Sequence, residues 1–239
     1  MKYELETIPV WEAYRAGGEC PVCVLEKKNE AQNVKYFLGD SVMDPDTRVA
    51  ANEKGFCVCH TDLLFEGGHK LGLALMTHTY LAGFLAAFRR KRAEEADAKG
   101  KPKKQPADWP GFFRATQSAC LFCERLEATL DRYVFTIVYL YKKDEDFRKA
   151  FLASQGFCLK HLARVLEMAG ENLPGAVRDE FVRELLALEE RRLAELESEI
   201  DWFTQKFDYR NQDKPWGNSA DALPRVLQKL KGHRFLDRK

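Results

Sequence analysis

The sequence predicts an all-α protein built from duplicated three-helix units that form a helical bundle. Each unit is expected to carry a Cys3His metal site, and an extended C-terminal tail follows. Three observations lead there. Apolar residues recur at steps of three and four instead of alternating. Gly and Pro fall between the periodic stretches. Six of the seven cysteines form two matching sets: Cys20-Pro-Val-Cys23 followed by Gly55-Phe56-Cys57-Val-Cys59-His60, and Cys120-Leu-Phe-Cys123 followed by Gly156-Phe157-Cys158-Leu-Lys-His161. The register repeats at 100 and then 101 residues, the pattern of an internal duplication.

In the first copy a helix is expected from Pro21 to Leu38, since proline is tolerated in a first turn, and Gly39 ends it. Asp44-Pro45-Asp46 reads as the capped start of a short helix to Lys54, closed by Gly55. A third begins near Val58, breaks at Gly67-Gly68 and resumes from Leu71 to Ala98. The second copy reads as helices over Leu121 to Lys142, Asp144 to Ser154, Leu159 to Ala169 and Pro174 to Phe207. In the last, Leu193, Leu196, Ile200, Phe203 and Phe207 make an apolar stripe that is either core or a seam for a partner helix. A final short helix is expected from Asp221 to Lys231.

The expected organisation is therefore residues 1–99, a first helical repeat with metal site one; 100–111, a linker; 112–207, a second repeat with metal site two; and 208–239, a basic and aromatic tail. The stretch from Lys99 to Gly111 holds two glycines, three prolines and four lysines, a composition that argues against a regular element. With the preceding Arg89-Arg90-Lys91-Arg92 it forms a basic strip, read as a solvated helix end and loop, with anion or RNA contact as the alternative.

Composition narrows the function classes. Lys plus Arg number 38 against 37 acidic residues, so overall charge gives no argument for nucleic acid or an anionic membrane. The apolar stretch from Leu71 to Phe88 contains Thr77, His78 and Thr79 and reads as too interrupted for a membrane span. No basic segment leading into an apolar run opens the chain, so a soluble, cytoplasmic protein is expected.

Zinc takes about four ligands in a tetrahedron, commonly thiolate and imidazole. Two cysteines separated by two residues can aim both sulfurs at one point, and a Cys and His three apart share a helix face. Thiolates are also favoured at helix N-termini, where the dipole and unpaired N–H groups lower the thiol pKa. The sequence thus suggests site one as Cys20, Cys23, Cys57 and His60, and site two as Cys120, Cys123, Cys158 and His161, each expected to hold zinc.

Iron remains possible at the same donors, as an iron–sulfur cluster or as haem ligated at Cys20-Pro21. A thiol-redox reading of the Cys-x-x-Cys pairs lacks the strands such folds place around the motif. Cys59, whose counterpart is Lys160, reads as an inert neighbour, His69 as exposed, and His78 as a satisfied core histidine. His233 sits in the basic tail. No phosphate loop, nucleophile elbow or His-Glu-x-x-His pair occurs, and a fully ligated metal leaves no position for activated water, so no catalytic residue is assigned.

The paired motifs, with Ile8-Pro9-Val10 near the start, the run from Trp202 to Asn211, Pro215-Trp216-Gly217 and Ala222-Leu223-Pro224-Arg225, resemble an uncharacterised bacterial family over essentially the full length. Its members are catalogued as a domain of unknown function, occur mainly in Gram-positive anaerobes, and are sometimes labelled ABC-transporter substrate-binding proteins. That label fits badly, because such proteins are α/β and exported. The resemblance supports the paired cysteine motifs and a cytoplasmic bacterial setting and implies no known activity.

The function expected is a zinc-stabilised, non-catalytic binding or regulatory module. Its alternative is a redox or metal-responsive switch in which one Cys-x-x-Cys pair oxidises and releases metal. Tyr209, Trp216 and Arg225 in the tail supply either a contact surface for a protein partner or a strap over the core; RNA is a weaker candidate, and no membrane contact is expected.

Overall fold

The computed structural model describes residues 6–97 and 108–232. Most of the expected linker, His233 and the last residues of the tail lie outside the described residues. The protein is all-α: among the described residues there are eleven α-helices, short 3-10 turns and no strand. In chain order the helices are α1 (Thr7–Ala16), α2 (Pro21–Leu38), α3 (Pro45–Lys54), α4 (Val58–Glu66), α5 (Lys70–Asp97), α6 (Trp109–Ala115), α7 (Leu121–Lys143), α8 (Glu145–Ala153), α9 (Leu159–Asn172), α10 (Gly175–Gln205) and α11 (Ala222–Lys231).

The helix starts follow local chemistry. Asp44 accepts from Thr47 N at 2.8 Å ahead of Pro45, and Asp144 accepts from Asp146 N and Phe147 N at 3.0 Å each. Two helices were not anticipated. In α1, Pro9 sits in the first turn, and Trp11 and Tyr14 pack on Phe147 with ring centroids 5.2 and 4.9 Å apart. In α6, Trp109, Pro110 and Gly111 form a first turn capped by Asp108, whose Oδ1 accepts from Gly111 N at 2.8 Å. Residues 109–111 therefore belong to a helix and not to a linker: a capping aspartate and a proline in the first turn outweigh the composition of the stretch.

The chain groups into two compact units, Asn29–Glu127 and Met1–Lys28 with Ala128–Lys239. Both boundaries fall inside helices, α2 and α7, whereas the division drawn from composition lies between residues 99 and 112. In the Asn29–Glu127 unit, Phe37, Ala51, Leu64, Met76 and Phe122 are buried, and α3 packs on α5. In the other unit, Leu130, Val134, Phe151, Phe157, Val165, Phe181 and Leu185 are buried, and Tyr141 meets Phe181 edge-on with centroids 4.6 Å apart.

α5 departs from the sequence reading. Lys70–Glu95 is long and apolar enough, by length and composition, to cross a membrane, and only 17% of the apolar window within it is buried. The interruption at residues 77–79 does not break the helix. His78, expected in a core, is exposed, because the buried side of α5 is the one bearing Met76 and Gly72, the latter against Val42 and Leu38.

The tail is fastened along the described part of its length. Lys206 donates to the carbonyls of Asn211, Gln212 and Lys214 at 2.7, 2.8 and 2.6 Å, and Trp202 Nε1 donates to Pro215 O at 3.1 Å. α11 packs on α9 and α10. Arg225 reaches Glu19 at 2.7 Å, Glu199 at 2.8 Å and Asp221 at 3.3 Å. On the predicted apolar stripe of α10, Leu196 is buried, while Phe203 meets Phe207 and Trp216 with centroids 5.5 and 5.7 Å apart.

Candidate metal centres

Four helices begin at a cysteine of the paired motifs. Cys20 and Cys120 directly precede α2 and α7, and the amides of Cys23 and Cys123, in the first turns, approach the sulfurs of Cys20 and Cys120 at 3.4 Å. Cys57 and Cys158 are the N-caps of α4 and α9, with nearly the same backbone (φ −70°, ψ 165° and φ −68°, ψ 156°). His60 and His161 follow one turn later on the same faces. The glycine opening each Gly-Phe-Cys is required where it stands. Gly156 has φ 76°, and a side chain there would collide with the Glu189 carboxylate; Gly55 has φ 62° and lies against the Tyr80 ring.

The eight sequence-predicted ligands gather in two groups of four, but not in the sets drawn above. Cys20 and Cys23 join Cys158 and His161, while Cys57 and His60 join Cys120 and Cys123; within each group the ligand atoms lie within 4.8 Å of one another. This corrects the assignment of each site to one copy of the motif. Helix length is the reason. At 1.5 Å per residue α2 carries the chain about 27 Å from Cys20, and the ten residues of α3 recover only about 15 Å before Cys57. Likewise α7 runs about 35 Å from Cys123's turn, and α8 returns only about 14 Å. Neither motif closes on itself, so each Cys-x-x-Cys meets the other's Cys-x-x-His.

In the group of Cys20, Cys23, Cys158 and His161 every ligand is buried. Nδ1 of His161 lies 3.3 Å from Cys158 Sγ and 3.5 Å from each of the Cys20 and Cys23 sulfurs, and Cys23 Sγ is 3.5 Å from Cys158 Sγ. In the other group Nδ1 of His60 lies 3.3, 3.5 and 3.2 Å from the sulfurs of Cys57, Cys120 and Cys123, and Cys57 Sγ is 3.8 Å from Cys123 Sγ. Its cysteines are only half-buried. A tetrahedral zinc about 2.3 Å from each sulfur would hold the sulfurs about 3.8 Å apart, so both donor sets fit such an ion.

Behind each imidazole stands a carboxylate that the sequence reading did not single out. Glu26 Oε2 lies 3.3 Å from His161 Nε2, and Glu30 Oε1 lies 3.7 Å from His60 Nε2. Both belong to α2, four residues apart, and Glu26 is 2% exposed despite its charge. Lys160 Nζ donates to Glu26 Oε1 at 2.6 Å. In a ligand set this arrangement fixes the imidazole tautomer that leaves Nδ1 for the metal. Burial on the inner face of α2 is what marks Glu26, since an acidic side chain there needs a partner, and spacing alone does not give that face.

Without an ion the clusters hold protons unevenly. Burial lowers the pKa of His60, but Cys120, Glu30 and Cys57 raise it to about 10. Burial acts likewise on His161, and Cys158, Cys20 and Glu26 raise it to about 11. Burial raises Cys120, yet His60 and the amides of Cys57 and Cys123 bring it down to about 6. Cys158 is held far below the thiol range, first by Cys20 and Cys23 and then by His161. Cys23, beside Cys158 and Cys20, is pushed up, as is Cys123 by burial and by Cys120. Each cluster thus has one thiolate ready and carries protons that a cation would displace.

Cys59 joins neither group and His69 is exposed, its Nδ1 accepting from Gly72 N at 3.2 Å. In the tail, Tyr209 is 80% exposed and Trp216 is 39% exposed, while Arg225 is taken up by its carboxylates.

The chain belongs to a family of unknown function (DUF6062), whose model matches residues 1–236. It is 27% identical over 193 residues to an "Uncharacterized 23.9 kDa protein in xynA 3'region" from Caldicellulosiruptor sp. (strain Rt8B.4), across 80% of this chain and 84% of that protein. No solved structure matches it.

Proposed function

We propose that this member of the family is a zinc-stabilised binding or regulatory protein in which two metal ions supply folding free energy. One observation carries the reading. Each cluster offers three sulfurs and one imidazole nitrogen within 4.8 Å, a complete tetrahedral set with no protein ligand lacking. Zinc in such a closed set has no free position for an activated water, which suits a structural role. Cys20, Cys23, Cys158 and His161 would hold one ion, and Cys57, His60, Cys120 and Cys123 the other. The metal would fasten helix N-termini that are far apart along the chain, and Tyr209 with Trp216 would offer an exposed aromatic contact for a protein partner.

The half-buried cluster also supports a second reading, a redox-responsive switch. With Cys120 drawn down to about 6, a peroxide reaching Cys120 and Cys123 would take two electrons from the two sulfurs. A disulfide would form, the peroxide would leave as water, and the metal would be released.

The test is the metal content of protein purified without added metal. The structural reading expects about two zinc ions per chain. Iron with visible absorbance, or chelator-treated protein as stable as the metal-loaded protein, would overturn it. Thiol titration before and after mild peroxide separates the second reading, which expects reversible loss of two thiols together with one zinc.

A further inference from the structure

α5 combines two properties that seldom coexist in a helix of a soluble chain: it is apolar nearly all round and little of it is buried. Gly72 and Met76 face the body of the Asn29–Glu127 unit, and Phe84 and Phe88 are covered by Phe112 and Trp109 of α6, with centroids 5.6 and 5.5 Å apart. At 100° per residue, the exposed positions 71, 74, 75, 78, 81, 82 and 85 fall within an arc of about 120° on the opposite side, with the exposed Thr77, Gly83 and Ala86 outside it. Six of these are Leu or Ala, and the seventh is His78.

The order of these residues is mirrored. Outward from His78, Leu75 answers Leu81, Ala74 answers Ala82, and Leu71 answers Leu85. A lipid surface does not require such an order. A two-fold interface does, because an isologous contact brings residue i of one copy to residue j of the other and the reverse. Laid antiparallel on itself, the face sets leucine on leucine and alanine on alanine at every level. The alanines permit the close approach of two helix axes.

Charge agrees with this direction. Arg89 and Arg90, exposed one turn past Leu85, would reach the α4–α5 turn of the second copy, where Glu66 is exposed. A parallel pairing would put the basic ends together.

We propose that the exposed face of α5 is the interface of a two-fold homodimer, packed antiparallel on α5 of a second copy with the two His78 side chains at the axis. The proposal does not depend on metal identity or on the proposed function.

Sedimentation equilibrium of the full metal-loaded chain should show a dimer. Leu75→Glu with Leu81→Glu, both at exposed positions, should raise the dissociation constant at least about 100-fold while leaving metal content and helical circular dichroism unchanged. Orientation is read by cross-linking in a Cys59→Ser background. Under mild oxidation a mixture of Leu71→Cys and Leu85→Cys chains should give covalent dimers that neither variant gives alone. A monomer at all concentrations would overturn the proposal, as would Leu71→Cys chains that cross-link to one another. So would a monomer that co-sediments with phosphatidylcholine–phosphatidylglycerol vesicles, which would assign the face to lipid.

Discussion

Glu26 Oε2 lies 3.3 Å from Nε2 of His161, while Nδ1 of the same ring faces three cysteine sulfurs. A buried carboxylate that selects the tautomer presented to a metal should matter to affinity more than to fold. Glu26→Gln is expected to weaken zinc binding at this cluster by about 10- to 100-fold, while the other cluster binds as before. Competition with a chromophoric chelator reads both sites.

The clusters differ in access. Every ligand of the first is buried, while Cys57, Cys120 and Cys123 are half-buried. Zinc should therefore leave in two phases on addition of chelator, the faster one belonging to Cys57, His60, Cys120 and Cys123. Cys123→Ser should abolish the fast phase alone, and abolition of the slow phase would reverse the assignment.

Acid should compete with the metal. At neutral pH the metal-free clusters hold protons on His60 and His161, whose pKa values lie near 10 and 11, and on Cys123 and Cys23, both pushed up; Cys120, near 6, and Cys158 are already ionised. Zinc must then displace at least an imidazolium proton and a thiol proton from each cluster, and its affinity should rise about 100-fold per pH unit. Calorimetry in buffers of different ionisation enthalpy counts those protons.

The metal-free fold has the complementary dependence. Both histidines are raised above 6.5, so the stability they contribute is complete below that value and lost as pH rises through about 10 and 11. Cys120 is lowered from 9.0, so its contribution is complete above 9.0 and lost as pH falls through about 6. Denaturant unfolding of chelator-treated protein should show the histidine contribution lost as pH rises from 6.5 to about 11 and the Cys120 contribution lost as pH falls from 9.0 to about 6, with the steepest loss above 9.0, where the thiol no longer offsets the histidines.

Lys229, 1% exposed, reaches Glu189 at 2.8 Å, and Glu189 accepts from Phe157 N at 2.5 Å, next to Cys158. Lys229 also donates to Gln155 O at 2.5 Å, so α11 holds the turn that carries a ligand. Lys229→Met strands a buried carboxylate whose pKa burial already raises, and should cost about 3–5 kcal/mol. For a chain of this size that is a fall of roughly 6–20 °C in melting temperature. A shift under about 2 °C would mean the tail is not a strap.

Much of this was legible in the residues. Pro21 and Gly39 bracket α2 where expected, and all eight cluster residues were named from spacing alone. Their grouping was not, because motif similarity favours closing each copy on itself, whereas the unequal lengths of α2 and α3 forbid it. That inequality was already in the sequence. Glu26 and Glu30 were hidden among many helical glutamates, since exposure cannot be read from spacing. His78 was misplaced because a helix that is apolar nearly all round is ordinarily buried, which would place its histidine against a core partner, and α5 instead leaves that face open.

Zinc content of two fourfold variants tests the exchanged grouping most directly. Removing Cys20, Cys23, Cys158 and His161 as Ser, Ser, Ser and Ala should leave one zinc per chain, because one complete set survives. Removing Cys20, Cys23, Cys57 and His60 in the same way should leave none, because each set is halved. The opposite pair of results would contradict the account.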